Sequence, residues 1–160
     1  KYRNTIFEDL LIRILFICHG NICRSPMAEF VMKDLVQKAQ IAEQFEIASR
    51  ATSREEIGND VYPSAKRLLL SRGISCASHQ ARQITKQDAL YYDYLIVMDE
   101  NNLRNFHRLF GEEFDEKVSL LLSFAGENRG IADPWYSGDF ESTWNDVNLG
   151  CKALLKRLGF

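Results

Sequence analysis

The chain has 160 residues, 46% of them apolar, with 20 basic and 22 acidic side chains and a formal net charge of −2; such a length folds as one domain without disulfide or metal staples, and the balanced charge excludes a disordered chain and a broadly basic nucleic-acid-binding surface. Four cysteines with no CxxC pair do not make a secreted disulfide framework, so a reducing, cytoplasmic setting is expected. The longest apolar run, LLIRILFIC, is broken by Arg13, follows Glu8 and Asp9, and falls well short of the roughly 20 residues that span a bilayer, so neither a signal peptide nor membrane insertion is expected.

Residues 1–10 mix polar and apolar types and read as an N-terminal extension, with a single domain over 11–160. From Ile12 to Ile17 nearly every residue is apolar, the pattern of a strand covered by helices on both faces. A helix follows, capped by Ser25 with Pro26 as its first residue, its apolar stripe running through Ala28, Val31, Met32, Leu35, Val36 and Ala39. FEIAS at 45–49 reads as a second strand, and Val61, Ala65, Leu68 and Leu69 as a second helix that stops at Gly73. DYLIVM at 93–98 is a third strand, followed by a helix from an Asp99 cap through Leu103, Phe106 and Phe110 to Gly111. KVSLLL at 117–122 is a fourth strand, and a last helix carries Phe140, Trp144, Val147, Cys151, Leu154 and Leu158 on one face. Strands alternating with helices predict an α/β domain with a parallel sheet between two helical layers.

The chemistry is concentrated in the loop after the first strand, ILFICHGNICRSPMAEF. In open α/β sheets, ligands bind beyond the carboxyl ends of strands, where loops run into helix N-termini. Cys18, five further residues, Arg24 and Ser25 occupy that position, so the backbone N–H groups can wrap a tetrahedral anion while Arg24 offers a planar fork. Gly20 permits close backbone approach and Asn21 tolerates positive φ. A helix N-terminus beside a cation lowers a thiol's pKa from near 8.5 to about 3.5–7.5, which predicts Cys18 as a thiolate nucleophile. Ser25 either donates to that thiolate or caps the helix, and the sequence leaves both open.

This stretch resembles the signature of the low-molecular-weight protein tyrosine phosphatases, C-x-G-N-x-C-R-S-P, and the likeness extends over residues 12–159 through SRATSREEIGN, SHQAR, VMDENNL and DPWY in order. The resemblance implies a four-stranded parallel sheet of flavodoxin-like topology and hydrolysis of phosphotyrosine through a phosphocysteine, with no metal or other cofactor. Phosphate and vanadate are then active-site anions, bound by the loop residues His19, Gly20, Asn21, Ile22 and Cys23. Because tyrosine titrates near pH 10, its phenolate leaves poorly without a general acid. By resemblance that acid is Asp133, whose plain alternative is an Asp-Pro turn. Trp135 and Tyr136 resemble the aromatic wall of the substrate pocket. His79 belongs by resemblance to a network holding the loop through Asn21 and Ser25, and Asp99 steadies the site besides capping its helix. Cys23 is either packing or, as in the family, a partner that shields Cys18 through a reversible disulfide. Cys76 and Cys151 read as structural, and His107 as an ordinary surface or core histidine.

Two positions depart from the family. His19 stands where an apolar residue is usual, at the pocket rim, and Glu55 stands where many members have an aromatic lining residue. A polar, acidic rim is expected to favour substrates with basic or flexible tails around the phosphotyrosine. Arsenate reductases of this fold need two further closely spaced cysteines after the second helix, where this chain has only Cys76. Protein-arginine phosphatases carry Thr at the position of Ile22, and the bulkier apolar side chain leans toward aryl phosphates. A non-catalytic phosphate-binding module is disfavoured by the full set of Cys18, Arg24 and Asp133, whereas a thiol redox sensor role is compatible with catalysis.

Overall fold

Strand β1 (Ile12–Cys18) lies between two neighbours, and the side chains of Ile14 to Ile17 are fully removed from solvent. A central strand of a parallel sheet has no wet face, and each such side chain contributes roughly 1.5–3 kcal/mol of hydrophobic stabilisation. The computed structural model describes residues 11–160, so the extension expected over residues 1–10 lies outside the described residues. In chain order there follow α1 (Arg24–Lys38), β2 (Phe45–Ala51), α2 (Pro63–Ser71), α3 (Lys86–Tyr91), β3 (Tyr94–Val97), α4 (Glu100–Phe110), β4 (Val118–Leu120), α5 (Pro134–Ser137) and α6 (Phe140–Arg157). All pairings are parallel and the strand order is β2-β1-β3-β4. The chain therefore leaves β1 toward one side and later returns on the other, which makes the C-terminal end of β1 the topological switch point.

Alternation along β1 divides the interior. Ile14, Phe16 and Cys18 pack with Met27, Val31 and Met32 of α1 and with Val147, Cys151 and Leu154 of α6. Leu15 and Ile17 pack on the opposite face with Leu95, Val97, Ala89 and Phe106. The result is the expected three-layer α/β/α arrangement. At Gly150 the helix α6 comes so close to the 3-10 segment Leu121–Ala125 that an added Cβ would stand 2.5 Å from Leu121 Cγ. A glycine in a helix interior is otherwise unfavourable, and here close packing explains it.

The structure differs from the sequence reading at several elements. Helix α1 begins at Arg24 with Cys23 at the N-cap position, and no side chain caps it. Ser25 is therefore inside the first turn, its hydroxyl turned to other partners. The fourth strand spans only Val118–Leu120, because residues 121–125 coil into a 3-10 helix. Two short helices were not predicted. Helix α3 is set by a reciprocal capping box between Thr85 and Asp88, and α5 is one turn started by Asp133.

Candidate active site

The loop between β1 and α1 takes its shape from Asn21, whose φ of 60° places it in the left-handed region. That conformation costs roughly 1 kcal/mol or more for a non-glycine residue, and hydrogen bonds on every polar group of Asn21 offset it. Its Nδ2 donates to Ser25 Oγ and to Ser49 Oγ, each at 2.8 Å. Its Oδ1 accepts from the Arg82 amide at 3.1 Å, and its carbonyl accepts from His79 Nε2 at 2.8 Å. Its own N–H lies 3.3 Å from Cys18 Sγ. Asn21 is fully buried behind the loop, so its side chain braces the site from beneath.

A hydroxyl has one proton to give. Ser25 Oγ accepts from Asn21, and its proton is then directed to Cys18 Sγ at 3.0 Å or, at longer range, to the Arg50 carbonyl at 3.5 Å. Ser49 behaves likewise, accepting from Asn21 and donating to Glu29 Oε1 at 2.6 Å. Lys33 Nζ, at 2.5 Å from Glu29 Oε2, compensates the charge of that buried carboxylate. The donors thus run in a consistent direction, with the Glu29 carboxylate as one sink and the Cys18 sulfur as the other.

Arg24, only 3% exposed, lines the same pocket as Cys18. Its Nη1 donates to Asp99 Oδ2 at 2.5 Å and to the Ile131 carbonyl at 2.9 Å, while Nη2 lies 3.4 Å from Asp133 Oδ2. Burial opposes its charge, but the Cys18 sulfur, Asp99 and Asp133 more than offset that and hold its pKa above the ordinary value. Asp99 uses its second oxygen to cap α4 through the Asn102 amide at 2.8 Å. Asp133 likewise does two things, starting α5 by accepting from the Trp135 amide at 3.0 Å and reaching Arg24 with its other oxygen. The Asp-Pro turn and the site carboxylate are the same residue.

Gly130 holds these two carboxylates in register. A Cβ there would stand 2.7 Å from Asp99 Cβ and 3.0 Å from Asp99 Cα, while the next amide, of Ile131, is bonded to the Met98 carbonyl at 2.8 Å. Gly130→Ala must push apart the Asp99 turn and the loop that carries Asp133. We expect it to lose about 1–3 kcal/mol of stability in chemical denaturation and to lower turnover; unchanged values for both would show that the loop yields freely.

Beyond the sulfur the pocket is lined by His19, Gly20, Ile22, Cys23, Glu55, Glu56, Trp135 and Tyr136. Trp135 is half exposed and meets Tyr62 edge-on at 5.1 Å, and Tyr62 in turn stacks on Phe140 at 5.9 Å. Across the mouth, His19 Nε2 and Glu55 Oε2 are 3.0 Å apart, joining the loop to the 52–56 segment. Backbone bonds from Thr52 N to the Cys18 carbonyl and from Ser53 N to the His19 carbonyl fix that segment. All four cysteines are free thiols. Burial, reinforced by the neighbouring Cys18 charge, pushes the Cys23 thiol up to about 12, so it stays protonated at neutral pH. Burial also raises Cys76 and Cys151. Among the described residues, no three His, Cys, Asp or Glu side chains are grouped to hold a metal ion, and no helix is long and apolar enough to cross a membrane.

Residues 13–159 match the family described as low molecular weight phosphotyrosine protein phosphatase. The chain belongs to this family. A human low molecular weight phosphotyrosine protein phosphatase is 40% identical over 155 residues, covering 94% of this chain and 98% of the human one. The crystal structure of YfkJ from Bacillus subtilis superposes with a TM-score of 0.89 at 33% identity, covering 92% of this chain and 94% of that one. A Drosophila arginine phosphatase, at 27% identity, has a TM-score of 0.85 and covers 93% of this chain and 99% of its own.

Within a low molecular weight phosphotyrosine protein phosphatase fold, the residues singled out in the sequence come together here. Cys18, His19, Gly20, Ile22, Cys23, Arg24, Glu55, Asp133, Trp135 and Tyr136 face one cavity, while Asn21, Ser25, His79 and Asp99 stand behind or beside it. Sequence reasoning missed Glu29, Ser49, Glu56, Tyr62, Gly130 and the Ile131 carbonyl. One signal was available: in β2, period two puts Ser49 on the same buried face as Phe45 and Ile47, and a polar residue there requires a partner.

Proposed function

We propose that this chain hydrolyses phosphotyrosine on protein substrates through a phosphocysteine intermediate. The observation that carries the reading is Cys18 Sγ at the floor of a cavity, with the Ser25 hydroxyl at 3.0 Å and the Asn21 amide at 3.3 Å, under Arg24 and Asp133. Cys18 attacks phosphorus, forming the S–P bond as the P–O bond to tyrosine breaks, and protonated Asp133 gives its proton to the departing phenolic oxygen. Water then attacks phosphorus, ionised Asp133 takes its proton, and the S–P bond breaks to release phosphate and the Cys18 thiolate. Arg24 and the loop amides hold the phosphoryl oxygens, stabilising charge where it develops, and Ser25 stabilises the sulfur as it leaves. Asn21, His79 and Asp99 keep this arrangement in place. Trp135, Tyr136, Ile22 and Glu55 surround the substrate ring, with His19, Gly20 and Cys23 in the loop.

Four free thiols favour a reducing, cytoplasmic setting. Wild-type activity on an aryl phosphate is expected to be insensitive to chelator and competitively inhibited by vanadate. The testing variant is Asp133→Ala. It should slow phenyl phosphate by about 10²–10⁴-fold and aryl phosphates with acidic leaving groups far less. Equal slowing across leaving groups would remove Asp133 as the acid.

Glu55 supplies a second expectation. Its charge at the rim favours basic flanks, moderated by His19 at 3.0 Å. Glu55→Gln should therefore lower kcat/KM for a basic phosphotyrosine peptide about twofold to fivefold relative to a neutral one, the range of an exposed ion pair; an unchanged ratio would dismiss the rim effect. The resemblance to an arginine phosphatase gives a runner-up substrate, phosphoarginine. It is disfavoured by apolar Ile22 in the pocket lining, and direct competition between phosphotyrosine and phosphoarginine peptides decides it.

A further inference from the structure

A second groove adjoins the reaction pocket, and Glu55 and Glu56, which line the pocket, do not line it. It shares His19, Arg24, Asp133 and Tyr136 with the pocket and runs along α4, where Arg104 and Arg108 line it. On a helix, residues 101, 104, 105 and 108 follow one stripe, so the two arginines stand one turn apart on the same face. Both are exposed, and each donates to the neutral side-chain amide of its own stripe, Arg104 to Asn101 and Arg108 to Asn105. Neither forms an ion pair among the described residues. The carboxylates in the groove, Asp99 and Asp133, are already engaged by Arg24 and by the amides of Asn102 and Trp135. The groove therefore presents two uncompensated cations beside the place where a phosphorylated side chain would sit, while Glu55 and Glu56 belong to the pocket lining alone.

Resting on the phosphotyrosine phosphatase reading and deepening it, we propose that Arg104 and Arg108 form a subsite for acidic side chains on one flank of the substrate's phosphotyrosine. Acids on that flank meet the two guanidinium groups, and acids on the other flank meet Glu55 and Glu56. The pocket mouth thus reads the direction of the substrate chain through charge. The attraction acts between exposed groups, so it weakens with salt.

The test uses phosphotyrosine peptides with glutamates on the N-terminal flank, on the C-terminal flank, or replaced throughout by glutamine. Wild type should favour one acid-flanked peptide over the glutamine peptide about fivefold in kcat/KM at low ionic strength, mainly through KM, as two exposed ion pairs allow. The other acid-flanked peptide should be no better than neutral. The preference should vanish in R104Q/R108Q and invert in R104E/R108E, and the same ranking should appear in peptide binding to the Cys18→Ser chain, which reads the subsite without turnover. Equal handling of all three peptides by wild type would overturn the subsite. So would a preference that survives in R104Q/R108Q, or a variant that slows phenyl phosphate as much as the acidic peptide. A wild-type chain that binds acidic peptides selectively but hydrolyses no aryl phosphate would overturn the phosphatase reading and leave the subsite standing.

Discussion

Cys18→Ser is expected to lower kcat/KM on an aryl phosphate by about 10⁵-fold or more, the scale seen when a nucleophile is removed from a cooperating set. The change exchanges one atom, and the surroundings can accept it. A hydroxyl at that position still receives the Asn21 amide and still faces Ser25 Oγ, both at hydrogen-bonding range of the present sulfur. Stability should therefore change by less than about 1 kcal/mol. Binding should survive as well, because in the proposed mechanism Arg24 and the loop amides hold the anion, so the variant should capture phosphorylated substrates without releasing product. Cys23 offers no substitute nucleophile, since its thiol, pushed up to about 12, stays protonated at neutral pH. Near-normal turnover in Cys18→Ser would sink the covalent mechanism. Loss of both turnover and vanadate binding with an altered unfolding midpoint would instead mean that the sulfur holds the loop together.

Legibility of this chain in its sequence follows the range of the interactions. The β1 run, the Asp99 cap and the α1 stripe from Ala28 to Val36 are local patterns present in the structure, whereas Ala39, expected on the stripe, is exposed at the C-cap of α1. The Thr85–Asp88 capping box is also a local pattern, but the helix it starts, α3, is only six residues long. The shortening of β4 is a tertiary effect: Leu121 and Leu122 turn into the core as a 3-10 helix against α6, an outcome their apolar character shares with a strand. Ser25 looked like a cap because it stands before Pro26, but the hydroxyl has a better partner in the sulfur seven residues earlier. The bracing groups have no local signature. Asn21 meets Ser49 and Arg82, and Arg24 meets the Ile131 carbonyl, over separations of 28, 61 and 107 residues. No window along the sequence contains them. Gly130 is invisible for the same reason, since only the approach of Asp99 requires it to lack a Cβ.

Arg24→Lys should be nearly as damaging as loss of the nucleophile, lowering kcat/KM by about 10³–10⁴-fold although the charge is kept. The guanidinium reaches three acceptors at once, Asp99 Oδ2, the Ile131 carbonyl and Asp133 Oδ2. Its fork is what lets one residue tie β3's end to the Asp133 loop and still present N–H groups in a plane that matches two phosphoryl oxygens. An ammonium is a single point at the end of a flexible stem. It can satisfy Asp99 or an incoming anion, and in either case leaves an acceptor without a donor. The stability loss should be about 1–3 kcal/mol. The lower part of that range is favoured because Asp99 and Asp133 retain 23% and 24% side-chain exposure, so solvent takes over part of their solvation. The discriminating measurement is vanadate affinity alongside turnover. A planar fork predicts that both fall together, whereas retained vanadate binding with lost turnover would mean that Arg24 acts through the position of Asp133 and not by gripping the anion.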